Sequence, residues 1–481
     1  MKLDGGLGVL GLGCVCVLVA CSSSGGSPNG GGGSGGAETS AGSGGMHAVS
    51  GGGAGGALAA NGGSGGTAHA GAGGSAGAGV CAHELANPAC WQEKNLQPFT
   101  EIEQSFFGAV FDGRYLVYMN EAYGQRSDKV RFDTQGDFTG DEAWSSFNAF
   151  GLKGRGFRGG VFDGRYVYLT PFAPELNGAA QQTFDSVPAR YDSQGAFNSA
   201  MAWTPFDLTQ ASGTPDLTVP GFAGTAFDGR YVYFAPSTVG QLSGDNVGSG
   251  KATRFDTQAD FTKAGSWTSF DLSTVSPNAV NFQGAVFDGR YLYFAPGSQT
   301  HALAARYDTQ ADFAAAGSWK TFETTSVNQY AGGFEGAVFD GRYIYFVPGS
   351  GLVTYHTVIA RYDTQADFTD AGAWLAYDTA PLSNDPLAEW QFNGAVFDGR
   401  YVYFVPREDP LLRLDTKADF GSNDAWETLP LFRVTSQTNG FSGGAFDGRY
   451  VYMVPNGLGT AVRFDAGANG TVPKTNSGSF F

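Results

Sequence analysis

Few side chains able to move protons, attack carbonyls or hold metals fall in the patterned part of this sequence. His301 and His356 are the histidines there, and no free cysteine accompanies them. A Ser-His-Asp triad or a metal-oxidase site is hard to assemble from such a set. Carboxylates are plentiful: Asp128, Glu175, Asp185, Asp216, Asp385, Glu389, Glu408 and Asp409 lie in or near connections of varying length. Two of them at a defined separation would make a glycosidase, which spacing along the chain does not state. The long glycine runs lack the strand-then-helix setting of a phosphate loop. The expectation is a protein that binds before it catalyses, with no cofactor and no metal.

Most of the remaining chemistry-bearing residues belong to a repeat. Phe-Asp-Gly-Arg-Tyr begins at Phe111, Phe162, Phe227, Phe287, Phe339, Phe397 and Phe446. Small residues precede each copy, and an alternating run follows, ending in Pro at 171, 236, 296, 348, 406 and 455. Two strands around Asp-Gly predict a hairpin with a type I′ turn, and Pro, lacking a backbone donor, ends the second strand. A third strand carries Arg131-Phe132-Asp133 and its six counterparts, through Arg463-Phe464-Asp465. Eleven residues after that Asp, the first six copies place a Trp, from Trp144 to Trp426, opening a fourth strand. In the turn between, Thr257 followed by Asp260 has capping-box spacing and predicts one helical turn. Calcium is the other reading of these acidic turns, but the spacing is not an EF-type loop and Ala196 interrupts it in the second copy.

Four antiparallel strands in each of seven units predict an all-β fold, a seven-bladed β-propeller over residues 81–470. The seventh unit lacks its Trp, while Trp91 stands alone before the first. The 20-residue interval from Trp91 to Phe111 recurs between Trp267 and Phe287. Residues 91–99 are therefore expected to supply the last blade's fourth strand and remove the open edge. With its Tyr-Asp, spaced Trp and Asp-Gly hairpin, the unit resembles the kelch repeat, though Val-Pro or Ala-Pro stands where kelch has Gly-Gly. The resemblance implies propeller topology and, most often, a binding scaffold.

Residues 22–80 are almost wholly Gly, Ser and Ala and cannot bury a core. They read as a flexible linker spanning roughly 40 Å, and residues 471–481 as a tail. Residues 1–21 contain an apolar run too short to span a bilayer, which predicts a cleaved signal. Its Leu18-Val19-Ala20-Cys21 ending resembles the lipobox of bacterial lipoproteins; the alternative is an ordinary secretion signal. The resemblance implies lipid on Cys21, an envelope address and, with Ser22 next, the outer membrane. Cys81 and Cys90 then remain as one disulfide pair in an oxidising compartment; a metal pair with His83 lacks further ligands. A net charge of −17 with no basic run argues against nucleic acid as a partner. A monomer is expected.

In a four-stranded meander, the turns after the first and third strands share one face, here nearly uniform between blades. The other face varies: Arg114 to Arg131 spans 17 residues, Arg165 to Arg190 spans 25, and Arg400 to Arg413 spans 13. Binding is expected on that variable face, for a glycan or a protein. Each inner strand begins Phe-x-Gly, where x is Phe107, Arg158, Ala223, Gln283, Glu335, Asn393 or Ser442. Those residues are expected to ring the channel mouth as a polar pocket, the alternative being relaxed packing at a solvated strand end. Tyr123, Phe172, Tyr330 and Trp390 would stack on a ligand or cap loops. The readings beside a tethered binding module are a carbohydrate-active enzyme using loop carboxylates and a structural envelope protein.

Overall fold

The computed structural model describes residues 81, 83–100, 106–120, 128–148, 156–172, 174–177, 181–184, 187–210, 221–239, 247–298, 302–349, 357–383, 390–437, 440–457 and 459–467. The signal, Cys21, the linker and the 471–481 tail lie outside them. So do Tyr123, Asp185, Asp216, His301, His356, Asp385 and Glu389, and for Glu175 the backbone alone is described.

Seven four-stranded antiparallel sheets form the blades of an all-β propeller. In blade 1 the strands are Phe106–Phe111, Tyr115–Asn120, Asp128–Asp133 and Trp144–Asn148. We number the blades along the chain and letter strands a to d from the axis outward. Blade 7 takes its d strand from the amino-terminal side: Trp91–Asn95 pairs with Thr460–Asp465, Trp91 opposite Phe464. The strand a of blade 7, Phe441–Phe446, packs on that of blade 1, so the ring closes. Short two-stranded ribbons, Pro174–Asn177 with Gln181–Phe184 and Thr238–Val239 with Val247–Gly248, lengthen the b–c connections of blades 2 and 3.

Among the described residues the core is divided into layers. The b strands are buried on both faces because each blade is sandwiched between two others, and the apolar clusters run between adjacent blades. The repeat supplies those layers. Each Trp donates its indole N–H to the carbonyl six residues back, as Trp144 does to Phe138 at 2.8 Å. In blades 2 to 6 it then stacks on a ring in or just after the d strand of the preceding blade, as Trp374 does on Phe322 with centroids 4.4 Å apart.

The hairpin turn differs from the one expected. Gly113 has φ +99° and Asp112 has a negative φ, so the two central residues are Gly-Arg, the pattern of type II′ rather than I′. A Cβ on Gly113 would touch nothing within 4 Å, so backbone conformation, not crowding, requires glycine here. Asp112 sits at the corner, where Oδ1 accepts the N–H groups of Arg114 and Tyr115 at 3.0 and 2.6 Å. In blades 2 to 7 its other oxygen accepts a b-strand Tyr hydroxyl at 2.6–2.9 Å. Blade 1 has Val117 at that position, and its Tyr118 hydroxyl is buried without a partner. The capping-box expectation also fails. Asp256 and Asp260 each accept the N–H two residues on, making two Asx turns, and the 3₁₀ turn comes later, at Ala264–Ser266.

All seven turn arginines pair with the Asp ending strand c, from Arg114–Asp133 to Arg449–Asp465, at 2.7–2.9 Å. In Asp192, Asp256, Asp308 and Asp363 the hydrogen bond from that arginine leads in holding the carboxyl below its usual range. A depressed carboxyl contributes stability above its unfolded value and loses it as pH falls through the folded one. Asp112 and Asp447, raised by burial, oppose this and blunt it. The thermal midpoint is expected to fall steeply below about pH 4; a flat profile down to about pH 2.5 would contradict the pairing.

Blade 7 closes by more than a strand. Leu85 accepts the Trp91 indole N–H at 2.8 Å, the same six-residue relation as in every other blade. Pro88–Cys90 forms the 3₁₀ turn that Asp141–Ala143 forms before Trp144. Gly467 donates its N–H to Asp465 Oδ1, as Gln135 does to Asp133. The c–d turn of blade 7 is thus split, its first residues at 465–467 and its last at 83–90. Cys81 and Cys90 are joined as a disulfide, with Cα atoms 5.5 Å apart. Peptide bonds hold both ends of this turn in the other blades; here the disulfide fastens the free end.

Candidate functional site

Phe-x-Gly acts locally as a bulge. Phe106 pairs with Asn120 and Ala109 with Tyr118, so Phe107 and Gly108 together face the single residue Met119, and every blade repeats the shift. The glycine takes positive φ in each, from +67° at Gly159 to +123° at Gly284. A bulge re-aims the side chain it carries, and seven bulges put seven unlike residues at the same height in the ring.

The ring is not uniform. Ala223, Asn393 and Ser442 are buried; Phe107, Arg158, Gln283 and Glu335 are half-buried. Asn393 donates to Ser442 Oγ at 3.0 Å, and Asn456 donates to the same oxygen at 2.8 Å. Gln283 donates to Ser237 Oγ at 3.0 Å. The Arg158 guanidinium lies 3.4 Å from the Phe172 ring centroid and 4.7 Å from that of Phe107, between two rings. Blades 6 and 7 are thus knitted shut, while blades 1, 2, 4 and 5 present accessible polar or aromatic groups.

A second set of positions joins the first, unforeseen in the sequence: the residue after the strand-ending Pro. It is Phe172, Ser237, Gly297, Gly349, Arg407 and Asn456 in blades 2 to 7. A Cβ on Gly297 would stand 2.5 Å from Gln283 Cγ, and one on Gly349 would stand 2.0 Å from Glu335 Cγ. Small residues there make room for large ring members. The signal was available, since this position varies beside a constant Pro.

One blade is rebuilt around charge. Lys129 has no exposure, at a strand c position that is Pro188, Ala252, Ala304, Ile359, Leu411 or Ala461 elsewhere. Its ammonium donates to Asn120 Oδ1, at the place of the missing Pro, and lies 4.9 Å from the Phe157 ring, next to Arg158. Burial pushes its pKa down to about 7, against the pull of Asp128, itself 5% exposed.

Other expected residues have structural employment. Asp409 Oδ1 accepts the Leu431 N–H at 2.7 Å, and Trp390 is buried in the layer between blades 5 and 6. Tyr330 packs against the layer between blades 4 and 5, and Glu408 is exposed. His83, read in the sequence as outside the repeats, belongs to the split turn. Among the described residues, no group of three or more His, Cys, Asp or Glu could hold a metal.

These features define a seven-bladed β-propeller with a variable face. No family model and no curated protein matches the chain. Solved structures are similar to it over most of its length. That titled "Structure of U3-55K" is 8% identical, with a TM-score of 0.49 over 78% of this chain and 98% of that one. The hydrazine synthase of Kuenenia stuttgartiensis is 13% identical, with a TM-score of 0.48 over 77% and 97%. The structure "YCF48 bound to D1 peptide" is 11% identical, with a TM-score of 0.44 over 80% and 99%.

Proposed function

We propose that this chain is an envelope-tethered binding module that holds a glycan or protein ligand on its variable face, at the mouth of blades 1 and 2. One observation carries the reading: a repeat constant in its turns and layers diverges at the bulge residues, and those include a guanidinium clamped between Phe107 and Phe172. Arg in such a stack keeps its in-plane N–H edge for hydrogen bonding, while the rings fix its orientation. Phe107 and Arg158, with Gln283 and Glu335 across the ring, are the ligand-facing members; Asn393 and Ser442 brace the arc of blades 6 and 7 between them. Support for the address is in the sequence: the lipobox-like Cys21 for a lipid anchor, Ser22 for the outer membrane, and a Gly-rich linker that lets the propeller stand off. The kelch-like order of motifs agrees with a scaffold role.

Purified protein on a glycan array and against envelope proteins tests this. The expected result is saturable binding without product release, weakened roughly tenfold by Arg158→Ala or Glu335→Ala, the loss of one charge-assisted contact. Binding unchanged in both variants would remove the ring as the site. Release of sugar products would favour a carbohydrate-active enzyme instead.

A further inference from the structure

The repeat shows what ordinarily stands at the start of an inner strand, and blade 4 departs from it. The residue before the strand a Phe is Gly156, Gly221, Asn281, Gly333, Gln391 and Gly440 in blades 2 to 7. In all six its carbonyl accepts the N–H of the residue after the strand-ending Pro, at 2.8 Å from Gly297 to Asn281. Four of them do so with positive φ: Gly221 at +77°, Gly333 at +65°, Gly440 at +75° and Asn281 at +58°. Glycine takes that conformation at no steric cost, and asparagine does not. Blade 4 thus holds a side chain where three of its neighbours do without one, and such outliers cluster at functional positions.

That side chain gains little inside the fold. Asn281 Oδ1 is buried and accepts no hydrogen bond, which costs stability. Among the described residues Asn281 Nδ2 has no partner either, and it is not buried. Two places along, Gln283 donates its Nε2 to Ser237 Oγ and leaves Oε1 unpaired and unburied. The two amides are neighbours, since a Cβ on Gly297 would stand 2.5 Å from Gln283 Cγ and 3.4 Å from Asn281 Nδ2. Gly248 clears the other side, where a Cβ would stand 2.7 Å from that of Asn281. Both residues are half-buried on the variable face. Their solvent-reaching atoms are one donor and one acceptor, side by side and uncharged.

We propose that Asn281 and Gln283 form a subsite for neighbouring hydroxyls of a neutral sugar. The inference rests on the variable face being the binding face, and it narrows the ligand there to a glycan. Asn281 Nδ2 donates to one hydroxyl, and Gln283 Oε1 accepts from the next. A hydroxyl both gives and takes a hydrogen bond, so the pair is matched with no charge on either side.

Blade 3 supplies the control, because it carries Gly221-Phe222-Ala223 where blade 4 carries Asn281-Phe282-Gln283. Asn281→Gly and Gln283→Ala therefore rewrite blade 4 as its neighbour, on a backbone the repeat already adopts. The intact protein and both variants are tested on an array of neutral and uronate-bearing oligosaccharides, with thermal midpoints alongside. The expected result is saturable binding of a neutral oligosaccharide, weakened roughly tenfold by either substitution, while Asn281→Gly melts no lower than the parent. No neutral oligosaccharide bound, binding unaltered by both substitutions, or a lowered midpoint in Asn281→Gly would overturn the subsite. If Arg158→Ala removes binding that Asn281→Gly leaves intact, the variable face stands as the binding face and the subsite alone falls. Binding of an envelope protein with no glycan bound would likewise overturn the sugar and leave the face.

Discussion

A chain lacking residues 85–100 is expected to melt at least about 10 °C below the intact protein, and one lacking 470–481 close to it. Leu85, Trp91 and Leu96 are 1%, 6% and 0% exposed, packed in the layers that join blade 7 to blades 6 and 1. Burying three such side chains contributes about 5–9 kcal/mol. Their removal also bares the c strand of blade 7 along all five residues that Trp91–Asn95 now pairs, and an open edge invites aggregation. Differential scanning fluorimetry of both truncations checks this. Equal midpoints would mean that the ring closes by other means.

Lys129→Met is expected to stabilise the protein at pH 7 by up to about 5 kcal/mol, the scale set by a lysine moved from its usual pKa to about 7. The sign follows from linkage. The folded value lies below the unfolded one, so the cost of burying the charge is fully present below about pH 7 and is relieved as pH rises toward the unfolded value. The advantage of the Met variant should therefore shrink between about pH 7 and pH 10. Urea midpoints across that range measure it, and a constant difference would contradict a titrating Lys129. If the mouth of blades 1 and 2 is the binding site, the same variant should bind less well, trading function for stability.

The propeller was legible because each signal recurred and each was local: an Asp-Gly hairpin seven times, a Pro that stops a strand six times, and a Trp at fixed distance six times. The closing strand was legible from one interval, Trp91 to Phe111. Expectations failed where the decisive contact lay outside the motif. Asp112 reads as a turn residue, but it sits one place earlier and uses its side chain to cap Arg114 and Tyr115, which moves the positive φ to Gly113 alone. Thr257 reads as a helix cap, but its hydroxyl donates instead to the Arg230 carbonyl across the hairpin. Of the candidate site, the seven bulge positions could be read from a variable residue between a constant Phe and Gly. Their unequal burial could not, because it depends on the neighbouring blade: Asn393 and Ser442 are buried through each other. Lys129 escaped notice for a similar reason. Only alignment of the blades by their strand c arginines shows that it occupies an apolar position.

The split turn of blade 7 makes the start of the ring a matter of where it is cut. Gly467 and His83 occupy successive parts of one turn whose six counterparts are continuous, so a short linker between them would make an endless chain. New ends could then be opened in any other c–d turn, giving a family of circular permutants in which every blade keeps its neighbours. Both halves of the split turn, 83–90 and 465–467, lie on the uniform face, so anchoring the ring through either one holds it with the bulge residues turned away from the anchor.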